Sequence, residues 1–269
     1  MKPNLLIGAV LSALMLGVAL LSLVWTPYPP TAIDILHKLA APTAAHPLGT
    51  DPFGRDVLSM IMTGAANTLA VAVIAVVIGA GIGVPLGSLA AAREGWIDDV
   101  VSRTTDLAFA FPALLTAVMI TALAGPGAVN AMIAIGIFNV PVFTRVARGA
   151  SRAIWQRDFV VAARAIGKRD VAIAVRDVLP NVAAVLLVQV TIQFALAIIA
   201  DAGLSYVGLG TQPPYPSWGK MLNDAQTFIY RAPLLAIFPG AAITLAVLGL
   251  NLLGDGLRDL LDPRLRLSR

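Results

Sequence analysis

Three polar side chains, Gln189, Gln193 and Asp201, recur at multiples of four residues inside an otherwise apolar stretch. Each four-residue step turns a helix by about 400°, so this stripe drifts about 40° per step and about 120° from Gln189 to Asp201. That still permits a shared sector facing a polar cavity, which makes the three a candidate translocation pathway if the stretch lies in lipid. An ionisable group at membrane depth is costly and marks a pathway or a buried pair by default. Asp201 could equally be a helix-end acid reaching headgroup water, and the two glutamines could serve interhelical hydrogen bonds instead of a solute. A second polar set, His46, Asp51, Arg55 and Asp56, surrounds a glycine-bracketed turn. It reads either as a gate or as an internally salt-bridged cap. Asp106 lies near Arg103, which suggests a salt bridge at a membrane interface.

Catalytic chemistry is not legible in the chain. There are no cysteines, and neither His37 nor His46 belongs to an H-E-x-x-H motif, so no metal site is assigned. Gly167-Lys168 lacks both the upstream glycine and the following Ser/Thr of a phosphate-binding loop.

The elements that must hold these residues follow from composition. Of 269 residues, 58% are hydrophobic and only 13% charged, against roughly 25% charged in a soluble domain. So few charges cannot cover a water-soluble surface, and the fold class is an all-α integral membrane helical bundle. A hydrocarbon core about 30 Å thick needs roughly 20 apolar residues per helix. Six such runs occur: Leu5 to Val24, Ala65 to Ala92, Leu107 to Ala124, Ala128 to Thr144, Val182 to Ala200 and Leu234 to Gly254. The first is too long for a signal-peptide core, and Trp25-Thr26-Pro27 replaces a small-residue cleavage site, so it reads as an uncleaved span. This divides the chain into residues 1–64, the first span with its loop, and residues 65–269, a core unit of five spans. Gly79, Gly83 and Gly87 form a stripe that lets another helix approach closely. Pro85, Pro112, Pro141 and Pro239 read as kinks within spans.

Charge then orients the bundle. With the amino terminus inside, 15 of the 19 basic residues fall in inner segments, including Lys2, Arg264, Arg266 and Arg269. Only Lys38, Arg55, Lys220 and Arg231 remain outside, the bias the positive-inside rule requires. Both termini are expected in the cytoplasm. The long inner segment, about 145–181, holds eight of those basic residues. Residues Gln156 to Ile166 carry small and apolar side chains at helical spacing, and Gly167 suits a helix C-terminal break. Asp170 then reads as the N-cap of a second helix, Val171 to Val178, stopped by Pro180. Such a basic elbow either lies on anionic lipid headgroups or docks its Ala/Gly face into a soluble partner.

The order of residues favours docking. Val161-Ala162-Ala163-Arg164-Ala165-Ile166-Gly167, followed by Leu179-Pro180, resembles the EAA loop of membrane subunits of bacterial ABC importers. His46-Pro47-Leu48-Gly49-Thr50-Asp51-Pro52-Phe53-Gly54-Arg55-Asp56 resembles the HxLGTDxxGRD signature of the dipeptide/oligopeptide/nickel branch, in its "C"-type permease. Leu204 to Gly210, Pro214 to Gly219 and Asn251 to Arg264 resemble further segments of that permease, so the likeness spans nearly the whole chain. Departures occur at Val161, where the pattern has glutamate, and at Asp177 or Val178, where it has isoleucine.

The resemblance implies a MetI-like ABC importer permease fold in the bacterial inner membrane, moving di- or oligopeptides. It implies no cofactor in this chain, with ATP and Mg on partner ATPases. The implied partners are a second homologous permease, two ATPase subunits, a periplasmic or lipoprotein solute-binding protein and membrane lipid, with no nucleic acid. Ala162, Ala163, Arg164, Gly167, Lys168, Asp170, Leu179 and Pro180 would couple to the ATPase, with no glutamate at position 161 to form a salt bridge there. His46, Asp51, Arg55 and Asp56 would form a periplasmic gate or a docking ledge for the binding protein. Two rival readings remain at this point: transport of nickel or another metal chelate, and a membrane scaffold that recruits lipid or a signalling protein.

Overall fold

The computed structural model describes residues 3–93 and 95–261, all in helices and connecting segments. Lys2, Arg264, Arg266, Arg269 and the carboxyl motif beyond Leu261 lie outside the described residues. In chain order the helices are α1 (Pro3–Ser22), α2 (Val57–Ala92), α3 (Trp96–Phe109), α4 (Ala113–Ala124) and α5 (Ala128–Trp155). They continue with α6 (Asp158–Ala165), α7 (Asp170–Ile173), α8 (Leu179–Tyr206), α9 (Trp218–Ala225) and α10 (Leu234–Leu261). Helices α1, α2, α5, α8 and α10 are each long and apolar enough to cross a membrane.

The third apolar run is not a straight span. Helices α3 and α4 meet at 86° across Ala110, Phe111 and Pro112, so only as a bent pair do they make a sixth crossing. Pro112 is the cause. It lacks an N–H, and its ring excludes the helical conformation for Phe111, so the helix ends and restarts. Twelve residues give α4 a length of only about 18 Å. Pro85, Pro141 and Pro239, in contrast, sit inside continuous helices.

Helix α2 starts earlier than its apolar run. Asp56 caps it by accepting from the Ser59 N–H at 2.8 Å, so the helix begins at Val57, and position 64/65 falls within it. The glycine stripe packs as expected. A Cβ at Gly79 would strike Asn139, at Gly83 the Val140 carbonyl and Phe143, and at Gly87 the Thr144 carbonyl and Arg148. Bare backbone therefore lets α2 lie directly on α5, and the central core gathers around this contact. Helix α1 joins the bundle the same way, with Gly8 on the α10 backbone at Leu252 and Leu253 and Gly256 on Leu5.

Pro180 does not stop a helix. Residues Ala174–Val178 form a π-helical segment that joins α7 to α8 without interruption from Asp170 to Tyr206. The wider turn and the position of Pro180 in the first turn of α8 dispense with the N–H that proline lacks. At the opposite end of the bundle, the fully buried Trp218 ties α9 to α2, its Nε1 donating to the Ile61 carbonyl at 3.1 Å. Asn67 Nδ2 donates to the Pro216 carbonyl at 2.7 Å in the same seam.

Candidate functional site

The basic elbow is a folded unit. Val160, Ile173 and Val178 are fully buried with Trp155 and Ala91 in a small core, and Ala92, Ala163 and Ala174 pack against it. Gly167 turns the chain between α6 and α7 at φ +81°, a left-handed conformation that favours glycine. Its polar residues brace the turn. Arg164 Nε donates to Asp170 Oδ1 at 3.2 Å, its guanidinium stacks 4.7 Å from the Trp155 ring, and its Nη2 reaches the Ala92 carbonyl. Lys168 Nζ donates to Asp177 Oδ2 at 2.5 Å, so the departure at Asp177 has a local partner. Asp170 is the first helical residue, with Arg169 in the cap position.

The elbow presents most of the expected Ala/Gly face outward and adds apolar side chains to it. Ala162 and Gly167 are exposed, but Ala163 is turned partly into the small core. The prominent outward side chains are Ile166, 83% exposed, with Val161 and Val171 beside it in sequence and also exposed. Leu179 and Pro180 lie at the start of α8, Leu179 lining a groove with Pro85 and Ser88. Periodicity could not find Ile166 and Val171, because an exposed apolar residue is recognised only once the fold shows which face stays uncovered.

Within the bundle, α4, α5 and α8 line a half-open cavity of about 460 Å³ whose walls are mostly apolar, with Asn139, Gln189 and Gln193 its only polar lining among the described residues. Gln193 donates through Nε2 to Asn139 Oδ1 at 3.1 Å, an interhelical bond. Gln189 also lines a second cavity of about 490 Å³ between α8 and α10, beside Asn181 and Arg258. Asp201 stands apart. It is fully buried, facing the Thr68 and Ser205 hydroxyls, neither at hydrogen-bond geometry to a carboxylate oxygen, and it lines neither cavity. The 120° drift along the stripe is what separates it from Gln189.

The outer polar set is spent on internal bonds. Asp56 accepts from the Ser59 N–H and hydroxyl and pairs with His46 Nδ1 at 2.9 Å. Asp51 accepts from the Phe53 and Arg55 N–H groups and from Arg55 Nε at 2.6 Å. Arg55 also approaches Asp224 of α9, which Lys220 holds at 2.6 Å. Gly54, at φ +79°, sits against the Asp34 carbonyl, where a Cβ has no room. Asp106 pairs with Arg145 at 2.6 Å, not with Arg103 in its own helix.

Comparison with known proteins fixes the class. Residues 83–267 match the family described as binding-protein-dependent transport system inner membrane component. The chain belongs to that family. It is 43% identical over 230 residues, 86% of this chain and 76% of the relative, to the dipeptide transport system permease protein DppC of Alkalihalophilus pseudofirmus. It is 41% identical over 225 residues, 84% of this chain and 75% of the relative, to the glutathione transport system permease protein GsiD of Pectobacterium atrosepticum. The same-named protein of Escherichia coli O157:H7 is 42% identical, with 84% of this chain and 74% of the relative covered. Among solved structures, a chain of the MetNI methionine ABC transporter in an inward facing conformation superposes with TM-score 0.63 at 19% identity, covering 76% of this chain and 96% of that one. That likeness carries the fold, the expected MetI-like one. As a multi-pass inner-membrane permease subunit of this family the chain is not itself an enzyme and needs no cofactor. ATP is bound by a partner ATPase, and solute arrives from a solute-binding protein.

Proposed function

We propose that this permease moves short peptides, di- or oligopeptides including glutathione-like tripeptides, across the inner membrane, coupled to two ATPase subunits through the elbow at 156–181. The observation that carries the coupling is the exposed Ile166 on a turn braced by its own ion pairs and packed on α2 through Ala91 and Ala92. A lipid-bound loop would have no need of such a core, since anionic headgroups attract basic side chains however the backbone is arranged. Shifting a two-state pathway from 1:99 to 99:1 takes about 5.5 kcal/mol of differential binding, and only a rigid element transmits that. The peptide solute is supported by the relatives that carry dipeptide and glutathione in their names.

In this reading the basic end faces the cytoplasm with both termini, and a second homologous permease completes the pathway along α4, α5 and α8. Gln189 and Gln193 line that pathway. The bonded cap of His46, Asp51, Arg55 and Asp56 serves as a stiff periplasmic ledge beneath the binding protein. The test is reconstitution of the whole assembly with its binding protein. Wild type should accumulate a labelled dipeptide on ATP addition, and Ile166→Asp should abolish uptake and ATPase co-purification while the permease still inserts. Undiminished uptake by Ile166→Asp would reject the coupling surface.

A further inference from the structure

Asn139, which lines the cavity between α4, α5 and α8, carries an unused hydrogen-bond donor that its neighbours cover in this conformation. Asn139 is 4% exposed, its Oδ1 accepts from Gln193, and its Nδ2 has no partner. Gln193, 3% exposed, lies at the middle of α8, so the pair sits deep in the span rather than at a headgroup. Asn139 is held there. Gly79 of α2 presses against its Cβ, and the bond from Gln193 fixes the plane of its amide. A buried donor without an acceptor costs on the order of 1–3 kcal/mol, and hydrocarbon tails offer no acceptor to relieve it. Among the described residues, no ionisable side chain lines the cavity.

We infer that the Asn139–Gln193 amide pair is a transit subsite, where Asn139 Nδ2 donates to a peptide carbonyl oxygen of the solute as it crosses an otherwise apolar, uncharged passage. This rests on the peptide reading above and names the group on the solute that is recognised. One neutral donor suits a passage through which solute must not dwell. It rewards an amide carbonyl with a single hydrogen bond and does not trap a carboxylate as a cationic side chain would. Gly79 and Gln193 position Asn139, and the donor itself is the contact.

The experiment uses the complete assembly in proteoliposomes with its binding protein, and dialanine and glutathione as probes. Asn139→Leu removes the amide, Asn139→Asp keeps the oxygen that accepts from Gln193, and Asn139→Ser restores a smaller donor. Maximal uptake rate should fall on the order of threefold to tenfold in Asn139→Leu and Asn139→Asp, with partial recovery in Asn139→Ser. KM, set by the binding protein, should stay unchanged. The dialanine analogue whose amide carbonyl is reduced to CH2 should be carried equally slowly by wild type and Asn139→Leu. Equal maximal rates for wild type and all variants would overturn the subsite. So would a fall accompanied by loss of the second permease from the purified assembly, because the donor would then serve the subunit contact. If wild type carries neither probe, the peptide reading falls and the subsite with it. If wild type carries them and the variants match it, only the subsite falls.

Discussion

Arg148 on α5 grips Asp98 on α3 with both arms of its guanidinium, Nη2 donating to Oδ2 at 2.7 Å and Nε to Oδ1. Arg152 reaches the same carboxylate at 3.9 Å, and Arg145 lies 3.9 Å over the Phe109 ring while pairing with Asp106. The inner half of α5 therefore holds the amphipathic α3 through a row of arginines spaced about one turn apart. Asp98→Ala should lower the stability of the detergent-solubilised complex by about 1–2 kcal/mol, the modest end for a bidentate pair because both groups keep some contact with solvent. Thermal unfolding followed by tryptophan fluorescence reads this, and an unmoved midpoint would show that α3 is held by other contacts.

The α2–α5 seam should be intolerant of a single methyl. Gly83→Ala drives a Cβ into the Val140 carbonyl and to 2.8 Å from Phe143 Cβ, whereas at Gly17 a Cβ meets nothing within 4 Å. Overpacking of this kind costs about 1–3 kcal/mol. Gly83→Ala should reduce yield of folded permease and lower its unfolding midpoint, and Gly17→Ala should leave both alone. Matching behaviour of the two variants would mean that α2 and α5 do not touch along this stripe.

Asp201 makes the opposite prediction. It is buried with no hydrogen-bonded partner or countercharge among the described residues, so an isosteric amide removes a charge that the site stabilises poorly. Asp201→Asn should preserve or raise stability and retain uptake within about twofold, because neither oxygen makes a bond to lose. A tenfold loss of transport with assembly intact would bring Asp201 into the transport cycle.

Orientation can be read with single cysteines, since the chain has none of its own. Ile166 at 83% exposure and Tyr230 at 99% lie at opposite ends of the bundle, whereas Ser151 and Ser217 are fully buried and would label poorly. In intact cells an impermeant maleimide should modify Tyr230→Cys and spare Ile166→Cys until the membrane is opened. The reverse pattern would invert the topology.

Hydropathy alone located the spans because a lipid-crossing helix must satisfy its backbone internally and show apolar side chains over its length. The glycine stripe was legible for a related reason: three missing side chains on one helix face have few uses other than close packing. The bend at Pro112 was not legible, because a hydropathy window averages across a three-residue break. Nor was the continuity through Pro180, where the sequence shows a helix breaker and the chain answers with a π turn. Asp106 was assigned to Arg103 by nearness in sequence, but its partner is Arg145, 39 positions away and brought close only by the α3–α5 contact. At the site, the polar stripe on α8 identified Gln193, yet its bonded partner Asn139 sits on another helix beside Pro141 and repeats no pattern. Pairings between distant segments depend on tertiary arrangement, which one-dimensional periodicity does not encode.

The unbroken run from Asp170 to Tyr206 is 37 residues, a rod about 55 Å long. Its tightest polar crossing with α5 is at Gln193, about 35 Å from one end and 20 Å from the other. A beam pivoting there behaves as a see-saw with unequal arms: 1 Å of push at the elbow returns about 0.6 Å of counter-swing at Tyr206. One tug would thus narrow one mouth as it widens the other. Spin labels at Val171 and Tyr206, each paired with a reference on α5, should shift in opposite senses when nucleotide is added, and parallel shifts would rule out the pivot.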